Sequence, residues 1–190
     1  KSQRDALLEA MTSEVGTMVL RNNYYQAQAL SIDEANSQFH FDSFTRLTQY
    51  LVNSVDLNRE LEYLPDDEEL QARHNAQQGL TRPELAVLMA YSKMDVHNAL
   101  LQEKALITDK YFEKYLLSAF PSPLVKEHTQ AITEHPLAKQ IIATSVANEI
   151  FNRGGIHAVR EQTGATIAEI VKAFIIAKEV FSLDDIWGEI

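Results

Sequence analysis

The chain has 190 residues, 45% apolar and 23% charged, which is enough to bury a core and unlike a disordered segment. A formal net charge of -10 argues against nucleic acid and anionic membrane as partners, since both need clustered Lys and Arg. Cysteine is absent, which excludes disulfides and a thiol nucleophile and fits a reducing compartment; no apolar run reaches the ~18 residues of a membrane span.

No signal-peptide pattern is visible, and a cytoplasmic location is expected. The chain begins at Lys1, inside what reads as a helix, and is expected to be a piece of something larger. Ser2 can cap a first helix whose apolar residues Leu7, Leu8, Met11, Val15, Met18 and Val19 fall on one face at a period of 3.6. Asn22-Asn23 reads as its stop, because Asn tolerates the left-handed conformation that ends helices. Ser31 and Glu34 form a capping box. The helix it would open runs to about Leu57, with Ala35, Phe39, Phe44, Leu47, Leu51 and Val55 as the buried stripe. Glu60 to Leu64 is a connection. Pro65-Asp66-Asp67-Glu68-Glu69 lacks the alternating spacing of a calcium loop. It reads instead as a helix start with carboxylates against the positive end of the macrodipole. That helix is expected to end near Gly79.

Leu80 to Lys93 organises the chain. Thr81 can cap, Glu84 closes a capping box, and Pro83 lies in the first turn, where its missing N–H costs nothing. Leu85 to Tyr91 is apolar at every position, and a helix apolar on all sides is surrounded. Residues 82–101 are therefore expected to be the buried central helix of an irregular multi-helix domain. Thr108-Asp109 opens another element with an aromatic face of Tyr111, Phe112, Tyr115, Leu116, Ala119 and Phe120, broken by Pro121-Ser122-Pro123. Leu124 to Glu134 is a helix ending at His135, because Pro136 disfavours the α conformation before it. The next helix carries Ala138, Ile141, Ile142, Val146 and Ile150 and stops at Gly154-Gly155. A short helix from Ile156 ends at Gly164. Thr166 with Glu169 caps a helix whose core side is Ile170, Phe174, Ala177 and Phe181, and Ser182 can cap a last turn through Trp187. No segment alternates with a period of two between turn signals, so the prediction is all-α, with no sheet.

A search for chemistry returns little. Gly154-Gly155 follows a helix and lacks the third glycine of a dinucleotide fingerprint, and there is no phosphate loop, zinc-protease motif or nucleophile elbow. Glu127-His128 and Glu134-His135 repeat at seven residues, but neighbouring side chains on a helix point about 100° apart, so structural roles are favoured over a metal site. His40, His74, His97 and His157 show no partner at ligand spacing. The informative residues are polar ones in apolar surroundings: Arg82, Ser92, Lys93 and Asp95, then Asn148, Glu149, Asn152 and Arg153. Buried polar groups must be bonded. They either bond between helices of this chain or face a neighbouring domain, and Arg82, Lys93, Asn148, Asn152 and Arg153 are the candidate interdomain contacts.

Several stretches together resemble the C-terminal region of the large bacterial NAD-specific glutamate dehydrogenases. They are Leu80-Thr81-Arg82-Pro83-Glu84-Leu85-Ala86-Val87-Leu88-Met89-Ala90-Tyr91-Ser92-Lys93, His135 to Thr144 running on through Asn148 to Gly155, the opening Arg4 to Gln28, and Ala173 to Trp187. Ala138-Lys139-Gln140 is less basic than the family's usual run. The resemblance implies a parent that oxidatively deaminates glutamate with NAD to 2-oxoglutarate, ammonium and NADH. It implies residues 1–62 as a helical segment following an absent dinucleotide-binding domain and 63–190 as a C-terminal helical domain, or one continuous domain. The family's catalytic and cofactor residues lie upstream, so no catalytic, cofactor-binding or metal residue is assigned here. The implied partners are the catalytic domain of the same polypeptide and a homo-oligomer. A stand-alone helical protein-interaction module is the alternative.

Overall fold

The computed structural model describes residues 2–103, 109–153 and 164–188, and among these every regular element is helical. The expected stop at Gly154-Gly155, the helix from Ile156 and His157 lie outside them. In order the helices are α1 (Ser2–Ala35), α2 (Phe41–Ser54), α3 (Asp67–Asn75), α4 (Arg82–Gln102), a 3-10 turn (Lys110–Phe112), α5 (Glu113–Leu117), α6 (Ser122–Thr133), α7 (Ala138–Arg153), α8 (Ile167–Val180) and α9 (Leu183–Gly188). The α4–α7 pair forms the centre. α1 lies against α4, α6 and α7, α2 and α8 cover other sides of α4, and α5 rests on α6 and α7.

Two expected boundaries in the first third are displaced. α1 continues through Asn22-Asn23, because residues 17–35 contain neither Pro nor Gly and Asn22 is instead held by α7, its Oδ1 accepting from Asn152 Nδ2 at 3.1 Å. Ser31 is inside the same helix: its hydroxyl donates back to the Ala27 carbonyl at 2.9 Å, so the Ser31–Glu34 pair caps nothing. The break comes at residues 36–40, where His40 N–H donates to the Asn36 carbonyl, and α2 opens at Phe41. Phe39 therefore lies in a turn, 86% exposed, and is no part of the buried stripe that Phe44 and Leu51 do form.

Ser37 fastens that turn. Its Oγ accepts from Leu80 N–H at 2.6 Å and donates to the Leu80 carbonyl at 3.1 Å, although 43 residues separate them. α3 ends at Asn75 rather than near Gly79, and the reversal is made by Gln77 at φ 54°. The acidic run behaves as read: Asp66 caps α3, accepting from Glu69 N–H at 2.8 Å. Arg59 bonds the Pro65 carbonyl and pairs with Asp67 at 2.6 Å.

α4 carries its capping box, with Thr81 N–H donating to Glu84 Oε2 at 2.7 Å. Its buried side is Leu85, Leu88, Met89, Ser92, Val96 and Leu100, and Leu88 is 1% exposed. The helix is not surrounded on every side, since Ala90 is exposed and Ala86, Val87 and Tyr91 are half-buried. Their smallness, and the hydroxyl of Tyr91 donating to Glu62 at 2.8 Å, make that face tolerable to solvent. α7 supplies Ala143, Val146, Ile150 and Phe151 to the core, and α8 supplies Ile167, Ile170, Val171 and Ile175. The Thr166–Glu169 box opens α8 as expected. Phe181, expected in the core, is 67% exposed because α8 ends at Val180 and Phe181 leaves it as the cap residue. Ala119 is also exposed, past the end of α5. Among the described residues no helix is long and apolar enough to cross a membrane.

Candidate functional site

Where α1 crosses the α4–α7 pair, two adjoining concavities open. One, of about 490 Å³, is lined by Asn22, Tyr25, Asn148, Glu149, Asn152 and Arg153 among others. The second, of about 360 Å³, has Lys93, Met94, His97, Asn98, Thr144 and Asn148 on its walls. Asn148 borders both. Four of the five residues singled out from the sequence thus gather here: Lys93, Asn148, Asn152 and Arg153. Arg82 lies apart. Its guanidinium bonds Ser31 Oγ at 2.9 Å, Glu34 Oε2 at 3.0 Å and the Ala27 carbonyl at 3.0 Å, tying the start of α4 to the end of α1.

Helical spacing explains the gathering. Asn148 and Asn152 are four apart on α7 and share a face, with Arg153 beside them at its end. Asn152 spends its amide N–H on Asn22, while its shielded Oδ1 has no hydrogen-bond partner among the described residues. Arg153 is held by two aromatic faces, 4.4 Å from the Tyr25 ring centre and 4.5 Å from that of Trp187. Lys93 on α4 is half-buried and makes one long contact, donating to Gln26 Oε1 at 3.4 Å. Burial lowers its pKa, and among the described residues no carboxylate pairs with it.

A second polar group sits below. Lys178, 5% exposed, pairs with Glu149 and with Asp184 at 3.0 Å. Tyr115 donates its hydroxyl to Glu149 at 2.7 Å. Burial, followed by the Glu149 carboxylate, pushes the Tyr115 phenol well above its ordinary range. Lys178 escaped the sequence reading, though its signal was present: it follows Val171 and Ile175 at steps of four and three, a cation in an apolar stripe. Glu149 is thereby committed within the chain, tying α5 and α8 to α7, while Lys178 in turn holds Asp184 of α9.

Elsewhere, His128 sits at a kink inside α6, at φ -133°, and His135 Nδ1 lies 3.1 Å from Leu137 N–H as acceptor. Among the described residues no three His, Cys, Asp or Glu side chains come together to hold a metal ion. The chemistry offered by the α1–α4–α7 surface is hydrogen bonding by amides and charge pairing by Lys93.

Comparison with known proteins follows the same lines. A family model described as glutamate dehydrogenase, C-terminal, matches residues 77–190. An NAD-specific glutamate dehydrogenase of Pseudomonas aeruginosa is 41% identical over 187 residues, covering 96% of this chain and 11% of that protein. Those of Halomonas elongata and Mycobacterium tuberculosis are 37% and 33% identical, covering 100% and 99% of this chain and 12% of each protein. The chain therefore spans about a ninth of the length of these relatives. No solved structure matches it.

Proposed function

The chain belongs to the glutamate dehydrogenase C-terminal family, and from that premise we propose that it is the non-catalytic, helical C-terminal part of a cytoplasmic NAD-specific glutamate dehydrogenase. The parent reaction is L-glutamate, NAD and water going to 2-oxoglutarate, ammonium and NADH in glutamate catabolism. The chain's own contribution is mechanical. It braces the catalytic domain of the same polypeptide, and with it the homo-oligomer, and binds neither NAD nor a metal itself.

The observation that carries this reading is the alignment along essentially the whole chain at 33–41% identity to proteins about nine times as long. Two structural features support it. Leu8, Val15 and Val19 leave an apolar stripe of α1 uncovered at 53%, 42% and 53% exposure, which suits a surface meant to be covered. The polar concavities beside that stripe hold amides and a lysine, the groups that fix register across an interface. The packing of α1 on α4, α6 and α7 favours treating 1–62 and 63–190 as one continuous domain.

The test is activity in two parts. The isolated chain is expected to give no glutamate-dependent reduction of NAD, and the full-length polypeptide lacking these residues is expected to lose most of its activity. Activity in the isolated chain, or an unimpaired truncated enzyme, overturns the reading.

A further inference from the structure

Among the described residues six cations are partly or fully buried: Arg59, Arg73, Arg82, Lys93, Arg153 and Lys178. Arg59 is paired with Asp67, Arg73 with Glu69 and Glu84, Arg82 with Glu34, and Lys178 with Glu149 and Asp184. Arg153 has the rings of Tyr25 and Trp187. Among the described residues Lys93 has the Gln26 amide oxygen at 3.4 Å and no carboxylate. A cation taken partly out of water without a counter-charge costs free energy, and such groups are ordinarily paired.

We propose that the cleft between α4 and α7 around Lys93 is a seat for one carboxylate side chain, an Asp or Glu presented by the part of the polypeptide outside these 190 residues. The assignment rests on the bracing role proposed above and gives that role a specific contact. Lys93 supplies the charge, while Asn98, Thr144 and Asn148 on the walls supply hydrogen bonds to the oxygens. Met94 beside it is 46% exposed, and Val19 borders the adjoining concavity, so an apolar stem has surface to lie on. His97 also lines this cleft, but among the described residues on its walls Lys93 is the one permanently charged cation, which suits a single carboxylate rather than a free dicarboxylate. Roughly nine-tenths of the relatives' length lies outside the aligned region and is available to supply the acid. The depressed pKa of Lys93, caused by burial alone, is the cost that pairing would remove.

A zero-length carbodiimide cross-link tests this, because it joins an amine only to a carboxylate in direct contact. The full-length polypeptide is treated, digested and read by mass spectrometry. The expected result is Lys93 joined to an Asp or Glu outside residues 1–190, lost in Lys93→Met, with the internal Lys114–Glu179 link (2.6 Å) persisting as the reference. If Lys93→Met does not fold, the wild-type link decides. Three results overturn the proposal: the reference link forming without any Lys93 link, Lys93 joined only within residues 1–190, or Lys93 shielded from an amine-acylating reagent only when acetate or glutarate is added. The last would make it a site for a free carboxylate. If other residues of this chain link to the rest of the polypeptide and Lys93 does not, bracing stands and the seat falls. If none link, both fall.

Discussion

Gly79 has no room for a side chain: a methyl there would sit 2.5 Å from Ser37 Oγ and 2.8 Å from the Gln38 backbone nitrogen. Gly79→Ala is therefore expected to destabilise by about 1–3 kcal/mol in urea denaturation, because backbone on the far side cannot simply rotate away. Read alone, that glycine looks like a helix terminator; its true reason is a neighbour 42 positions earlier, which no local pattern reveals. Leu88 was legible, lying in the longest apolar run of the chain. Leu88→Ala is expected to cost about 2–5 kcal/mol, and a loss below ~1 kcal/mol would mean that α4 is not central. Asp33 carries a pH signature. Burial pushes its carboxyl up to about 6, against some lowering by His40. A raised acid binds more protons folded than unfolded, so stability falls as pH rises from the unfolded value of 3.8 through about 6. Asp33→Asn should accordingly raise the melting temperature near pH 8 and leave it unchanged near pH 3, measured by thermal unfolding at both.

Helix starts written within four residues were the most readable elements. The boxes at Thr81–Glu84 and Thr166–Glu169 both form, because their partners are fixed by the helix they open. The same pattern at Ser31–Glu34 is empty, since α1 arrives already helical and Arg82 takes both side chains for another purpose. At the other end, α9 is six residues long and cannot be stable alone. It is held by Asp184 on Lys178, and by Trp187, which stacks on Phe174 with centroids 6.5 Å apart and lies under Arg153. Trp187 is the chain's single tryptophan, which makes the docking of α9 observable. Arg153→Ala is expected to red-shift its fluorescence and raise its quenching by iodide, with far-ultraviolet dichroism little changed. An unchanged emission would show that the Arg153 contact does not hold α9.

At the level of the molecule, the all-α class could be read because start and stop signals are local, and the family could be read because its motifs are contiguous. The arrangement could not. That α1 is one helix spanning α6, α7 and α4, and that Lys93 and Asn148 on two different helices line one cleft, depend on contacts between residues far apart in the chain. The Ser37–Leu80 clasp is the plainest of these, and its consequence is kinetic. It closes a loop holding all of α2 and α3, and closing a loop of 43 residues costs chain entropy that no local contact repays in advance. The clasp should thus form after the barrier to folding has been crossed, acting as a latch on the finished molecule. Ser37→Ala is expected to speed unfolding several-fold in stopped-flow measurements while refolding keeps its rate. Slowed refolding would instead place the meeting of α1 and α4 in the folding nucleus. In a latched molecule, one serine hydroxyl bridging the first and second thirds of the chain prolongs the life of the folded state.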